Sequence, residues 1–135
     1  AFRIAFPGIE VRCQHSQLAS DTLLHKSSDH PLVVMHLRPG KADCAAYGGG
    51  KLLHSNTYPV GKTDDILVKA LSVMKEFSLE QPEMELALCG EVDRGIYAAL
   101  RPYFPHVTLF TGAQYRIFNP EFQHLHTYRH ALILV

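Results

Sequence analysis

The hydrophobic pattern changes period along the chain, and the changes mark its elements. "AFRIAF" (1–6) sets Phe2, Ile4 and Phe6 on alternate positions, and "IEVRC" (9–13) alternates again after Pro7–Gly8, so both read as short strands. Residues 15–26, "HSQLASDTLLHK", read as a short helix with Leu18 and Leu24 inward. "LVVMHL" (32–37) is a continuous apolar, β-branched run, the signature of a buried strand. "RPGK" (38–41) is a turn, "ADCAAY" (42–47) a weaker strand, "GGG" (48–50) a second turn and "KLLHSNTY" (51–58) a third strand. Tight turns between successive strands predict an antiparallel meander.

The period then becomes helical. Leu67, Ala70, Leu71, Met74 and Phe77 follow the i, i+3, i+4, i+7 spacing, predicting a helix from about Thr63 to Phe77. "MELALC" (84–89) returns to alternation. "DRGIYAALRPYF" (93–104) holds a short helix with Ile96 and Leu100 stacked, ended by Pro102. "VTLFT" (107–111) is a further strand, and "PEFQHLHTYRHALILV" (120–135) reads as a last helix. From residue 31 onward the order is β-β-β-α-β-α-β-α. A meander followed by helical crossovers predicts a mixed α/β fold with a five-stranded sheet.

Composition narrows the classes. The chain has 135 residues, 47% hydrophobic and 19% charged, enough for a packed core. Thirteen basic residues balance thirteen acidic ones, so no net field favours nucleic acid or an anionic membrane surface. No apolar run approaches the roughly 20 residues of a membrane-spanning helix, and the first residues lack the basic-then-apolar pattern of a signal peptide. Cys13, Cys44 and Cys89 are odd in number and form no CxxC, which reads as reduced thiols in a cytoplasmic protein.

Gly61–Lys62–Thr63 spells the second half of a phosphate loop. The first glycine of that motif is replaced by Asn56, and Pro59 removes an amide from the loop. Asp64 and Asp65 follow in the first helical turn, where they suit the positive helix end and repel phosphate. The stretch is therefore read as a turn at Gly61 and a helix capped by Thr63. "YGGGK" (47–51) is a hairpin turn, because Leu52 stands where a phosphate loop needs Ser or Thr. His126 and His130 would lie one helical turn apart, a spacing able to hold zinc or nickel, but His124 points elsewhere on an ideal helix and only Glu121 lies near to complete the set, so they read as ordinary histidines on a polar helix surface. His15, His25, His30, His54 and His106 are dispersed. Cys89 lacks a nearby histidine in the sequence and reads as a packed strand cysteine; Arg94 and Arg101 read as solvated helix charges.

The stretch "VVMHLRPGKADCAAYGGGKLLHSNTYPVG" (33–61) resembles the second phosphate hairpin of the actin-like ATPases, and "LALCGEVDRGIYAALRPYF" (86–104) resembles their adenosine segment. More closely, "NTYPVGKTDDILVKAL", "MELALCGEV", "IYAALRPYFPHVTLF" and "FQHLHTYRHALIL" resemble the C-terminal half of a bacterial family of unknown function with an actin-like ATPase, ribonuclease-H-like fold. The resemblance implies one such lobe over residues 31–135, with residues 1–30 matching the end of a preceding lobe. It also implies where a nucleotide would sit. Gly40, Gly61 and Gly90 would be remnants of that site, and Asp43 a replacement for the hairpin acid.

The departures carry as much weight. His36 and Arg38 stand where active members place the magnesium-associated Asp and its Gly, and Glu91 follows Gly90 where a second glycine belongs. The expectation is a degenerate lobe without catalytic residues or resident cofactor, serving as an interaction or scaffold module. Its partner would be a protein: the remaining lobe, another copy or a different chain. The alternative is an ATP–magnesium-binding protein with weak or no hydrolysis.

Overall fold

The computed structural model describes residues 30–80 and 82–110. The strands predicted at 1–6 and 9–13, the helices at 15–26 and 120–135, the preceding-lobe segment 1–30 but for its last residue, and the pair His126 and His130 lie outside these residues.

Five strands and two helices follow in the order β1 (Leu32–Arg38), β2 (Lys41–Gly48), β3 (Lys51–Pro59), α1 (Thr63–Glu76), β4 (Glu85–Gly90), α2 (Arg94–Leu100) and β5 (His106–Leu109). They form one mixed sheet ordered β3-β2-β1-β4-β5. β1 pairs antiparallel with β2, and β2 with β3, while β1–β4 and β4–β5 are parallel. The predicted meander and crossovers are both present.

Turn chemistry sets the meander's register. Arg38 and Lys41 pair across the two-residue loop Pro39–Gly40, and Gly40 takes φ +72°, the positive angle that a Pro-Gly turn needs at its second central residue. Gly48 pairs with Lys51 across Gly49 and Gly50, whose φ values of +57° and +77° are those of the hairpin turn matching strand twist. A register shift next to this turn leaves Leu53 as an extra residue on β3.

Alternation along the strands builds two cores. Val33, Met35, Leu37, Ala42, Cys44, Leu86 and Leu88 face both helices and meet Ile66, Ala70, Val73, Ile96 and Leu100. Leu32, Val34, Ala45, Tyr47, Ala87, Cys89 and Phe110 form a second buried cluster on the opposite face. Both faces of β1, β2 and β4 are thus covered, which is why these strands carry apolar runs more than clean alternation. The "weaker" strand 42–47 is fully buried along its length. Small residues suit that central position between two close neighbours.

Both helices begin and end by identifiable devices. Lys62, not Thr63, stands at the cap of α1, and Thr63 is its first helical residue. The carboxylate of Asp65 reaches back to the amides of Gly61 (2.8 Å) and Lys62 (3.0 Å). Asp65 thereby supplies the reach-back half of a capping box, serving amides at and before the cap and not those within the first turn that a cap hydroxyl would serve. At the other end Ser78 takes φ +53°, with Ser78 N donating to Lys75 O and Leu79 N to Met74 O, the Schellman pattern with serine in the position that favours glycine. Asp93 caps α2 by accepting from the Ile96 amide at 2.8 Å, and the helix stops before Pro102 as predicted.

Candidate functional site

A polar row crosses the sheet on the face without α1 and α2. Thr57 of β3 pairs in register with Asp43 of β2, Asp43 with His36 of β1, and His36 with Cys89 of β4. In-register neighbours share a face, so four chemistry-bearing side chains stand side by side. Asp43 is fully buried and His36 nearly so. Arg38, two residues along β1, lies on the same face and grips Asp43 in a fork, Nε to Oδ2 and Nη2 to Oδ1, both at 2.8 Å. Thr57 donates its hydroxyl to Oδ1 at 2.6 Å, and His36 donates from Nδ1 to Oδ2 at 3.2 Å.

Electrostatics follow from this geometry. Burial pushes the Asp43 carboxyl up, but the hydrogen bonds from Arg38, Thr57 and His36, with the Arg38 charge, outweigh it and hold the group at about 2. Burial also governs His36, lowering it below the ordinary 6.5 because its charged form is disfavoured; the Asp43 hydrogen bond and charge oppose this only in part. Asp43 is thus a buried carboxylate whose charge is matched inside the sheet. Cys44, on the other face, is pushed up to about 12 by burial and is an inert packing thiol.

A cleft of about 470 Å³ opens at the carboxyl ends of β1, β3 and β4. That is the edge of a parallel sheet at which α/β folds bind ligands. The loop after β3 is tied to the first turn by Val60 N donating to Gly40 O (2.9 Å), and the exit of β4 is tied to β1 by Glu91 N donating to Leu37 O (2.9 Å). Among the residues singled out in the sequence, Arg38, Gly40, Gly61, Lys62, Thr63 and Glu91 line this cleft together. Gly90 and Asp43 do not line it. Gly90 sits just beneath, at φ +84°, and a Cβ there would lie 2.2 Å from Leu37 O and 2.9 Å from His36 Cδ2. Its glycine has a packing reason independent of any ligand.

Several lining residues escaped the sequence reading, Lys41, Ile66 and Val92, and Ile96 was read only as the apolar side of a short helix. The fork between Arg38 and Asp43 also went unread, although the Pro39–Gly40 loop signals it. A two-residue turn pairs 38 with 41, and counting back sets 36 against 43. His36 beside Cys89 was equally out of reach, since parallel pairing between positions so far apart in the chain has no local signal. The phosphate-loop spelling is answered by Asp65. The amides of Gly61 and Lys62, which such a loop would turn toward phosphate, are taken by the chain's own carboxylate, held below its ordinary range by those amides. Among the described residues no group of three His, Cys, Asp or Glu is placed to hold a metal ion, and no helix is long and apolar enough to cross a membrane.

With this geometry in place, comparison with known proteins locates the chain. The family described as a protein of unknown function, DUF3822, matches residues 1–107. The chain belongs to that family. The match begins at residue 1, so the family pattern includes the segment before β1. No curated protein matches the chain. A solved structure from Bacteroides thetaiotaomicron VPI-5482, a protein with actin-like ATPase fold and unknown function, superposes with a TM-score of 0.71 at 19% identity. It covers 81% of this chain, and this chain covers 44% of it. The fold of this DUF3822 member is therefore actin-like, as the sequence resemblance implies, and the chain spans less than half the length of that neighbour. The foamy viral protease-reverse transcriptase in complex with dsDNA also matches, at 15% identity over 79% of this chain and 32% of that one, but its TM-score of 0.36 is too low to carry an argument.

Proposed function

We propose that this chain contributes a non-hydrolysing actin-like lobe whose work is interaction with another protein surface. One observation carries the reading. The only carboxylate on the β1–β2 hairpin, Asp43, faces into the sheet, forked by Arg38 and bonded by Thr57. A magnesium-organising acid must offer free lone pairs toward the cleft, and two cationic or hydroxyl partners already occupy these. The helix amides beside Gly61 are likewise engaged by Asp65.

A second reading, nucleotide binding without efficient hydrolysis, is favoured by the convergence of Gly40 and Gly61 on one cleft. Thermal unfolding with and without millimolar magnesium-ATP separates the two. A ligand at about 100 times its dissociation constant adds about 2.7 kcal/mol, a shift of several degrees for a domain of this size. No shift is expected. A saturable rise that needs magnesium would sink the first reading in favour of the second.

A further inference from the structure

Among the described residues β3 is the last strand on its side of the sheet, and all of it is exposed or half-buried. Such an edge is a template on which another chain can lay a strand. Charge, a common deterrent, is sparse along it: Lys51 is the strand's one Lys, Arg, Asp or Glu.

The register shows which backbone groups point outward. Val60 stands opposite Gly40, one step beyond the pair Lys41 and Pro59, and Val60 N donates to Gly40 O at 2.9 Å. In an antiparallel ladder, bonded and non-bonded pairs alternate. Tyr58 and Asn56 therefore turn their backbone groups toward β2, while Ser55, Thr57 and Pro59 turn theirs away from it. The 2.6 Å bond from the Thr57 hydroxyl to Asp43 agrees, since non-bonded pairs bring side chains closest. The outward amides after Ser55 are engaged or missing. Thr57 N donates to Oδ1 of the adjacent Asn56 at 2.9 Å. Pro59 carries no amide proton, and an outward edge position is where a strand tolerates proline. Before Ser55, the extra residue Leu53 breaks the two-residue spacing that a partner strand must match.

We propose that Asn56 and Pro59 close the outer edge of β3 to strand addition, so that a second copy of this chain does not extend the sheet there. An added strand needs donors and acceptors at every second residue. This edge offers it the Ser55 amide without a regular successor. Any protein contact the lobe makes is thereby directed to a face or a loop. The closure rests on the geometry of the edge and holds whether or not the lobe has a partner.

The test is amide hydrogen exchange on the full chain across a concentration series, read beside its mass in sedimentation velocity. In the wild type, exchange at Ser55 is expected to be independent of concentration. Asn56→Ala, at an exposed position, frees the Thr57 amide, which should exchange about five-fold faster in dilute solution, the worth of one exposed hydrogen bond. The double variant Asn56→Ala/Pro59→Ala also restores an amide at position 59. Its mass should rise with concentration above that of the wild type, and exchange at 55, 57 and 59 should slow in step. A wild-type mass that rises while Ser55 exchange stays constant supports the closure, because the contact then lies elsewhere. Three results would overturn it: wild-type Ser55 exchange that slows with concentration, Thr57 exchange unchanged by Asn56→Ala, or a double variant indistinguishable from wild type in mass and in the concentration dependence of exchange at Ser55.

Discussion

Asp43 shows how a single side chain decides between chemistry and structure. Its carboxylate is fully buried, and three donors share its two oxygens. Removing one partner of such a pair leaves the other desolvated without compensation, a loss of about 3–5 kcal/mol when both are deep. Arg38 is about one third exposed, so Asp43→Asn is expected at the lower end, about 3 kcal/mol, in denaturant unfolding. The pH dependence has a definite sign. The folded carboxyl lies at about 2 against an ordinary 3.8, so its contribution is complete above pH 3.8 and is lost as pH falls through 2. His36 acts in a different window. Its folded value is depressed, so the unfolded chain takes up the proton first and stability falls as pH drops below 6.5. A wild-type minus Asp43→Asn stability difference that stays constant from pH 5 to pH 2 would refute the pairing.

Gly90 belongs to the same scale. Its positive φ and the 2.2 Å approach to Leu37 O leave no room for a Cβ. Gly90→Ala is expected to cost at least about 2 kcal/mol, from the left-handed backbone and the clash together. A bulky residue at Gly90 therefore disrupts the fold before it reports on any ligand. Lys41, Lys62 and Glu91 are the positions that probe the cleft without that confusion, because all three are exposed. An unchanged unfolding midpoint for Gly90→Ala would count against this packing role.

At the scale of elements, α1 carries the most accessible prediction. Ser78 occupies the left-handed position of a Schellman ending and is exposed. Ser78→Gly is expected to stabilise by about 1 kcal/mol, because glycine adopts that backbone without the Cβ penalty. A lower midpoint in the variant would show that the serine side chain contributes more than its backbone costs. The elements also show what a sequence makes legible. Every described strand and helix lies within two residues of its predicted span, because turns at Pro39–Gly40 and Gly49–Gly50, helical spacing after Thr63 and Pro102 are local signals. The cap of α1 lies one residue before the predicted Thr63, because the reach-back of Asp65 to the Gly61 and Lys62 amides sets the helix start at Lys62. The cleft was only half legible. Its glycines announce themselves, whereas Ile96 reads as the apolar side of a short helix and Val92 gives no signal until the parallel pairing of β1 with β4 brings them to the mouth.

For the whole molecule, the question is what a lobe of this kind does when its hairpin acid is turned inward. The chain spans 44% of the length of its actin-like neighbour, and domains within one chain commonly meet through interfaces of the size of ordinary protein–protein contacts. A lobe that works by contact should make contact in solution when its concentration is raised. Net charge offers little resistance. Thirteen basic and thirteen acidic residues, with a pI near 7.3, leave no long-range repulsion between copies at neutral pH. The interaction reading accordingly predicts that the weight-average mass of the full chain in sedimentation velocity rises with concentration at pH 7. It should be nearly insensitive to added salt, because apolar contact and not ion pairing drives it. Acidification to pH 4 adds net positive charge to the chain, so repulsion between copies should weaken the association. Mass that stays at the monomer value across the accessible range would remove self-association from the proposal and leave a different protein as the partner. Mass that falls steeply with salt would assign the contact to charged rims, and Lys41 and Lys62 would be the first residues to neutralise.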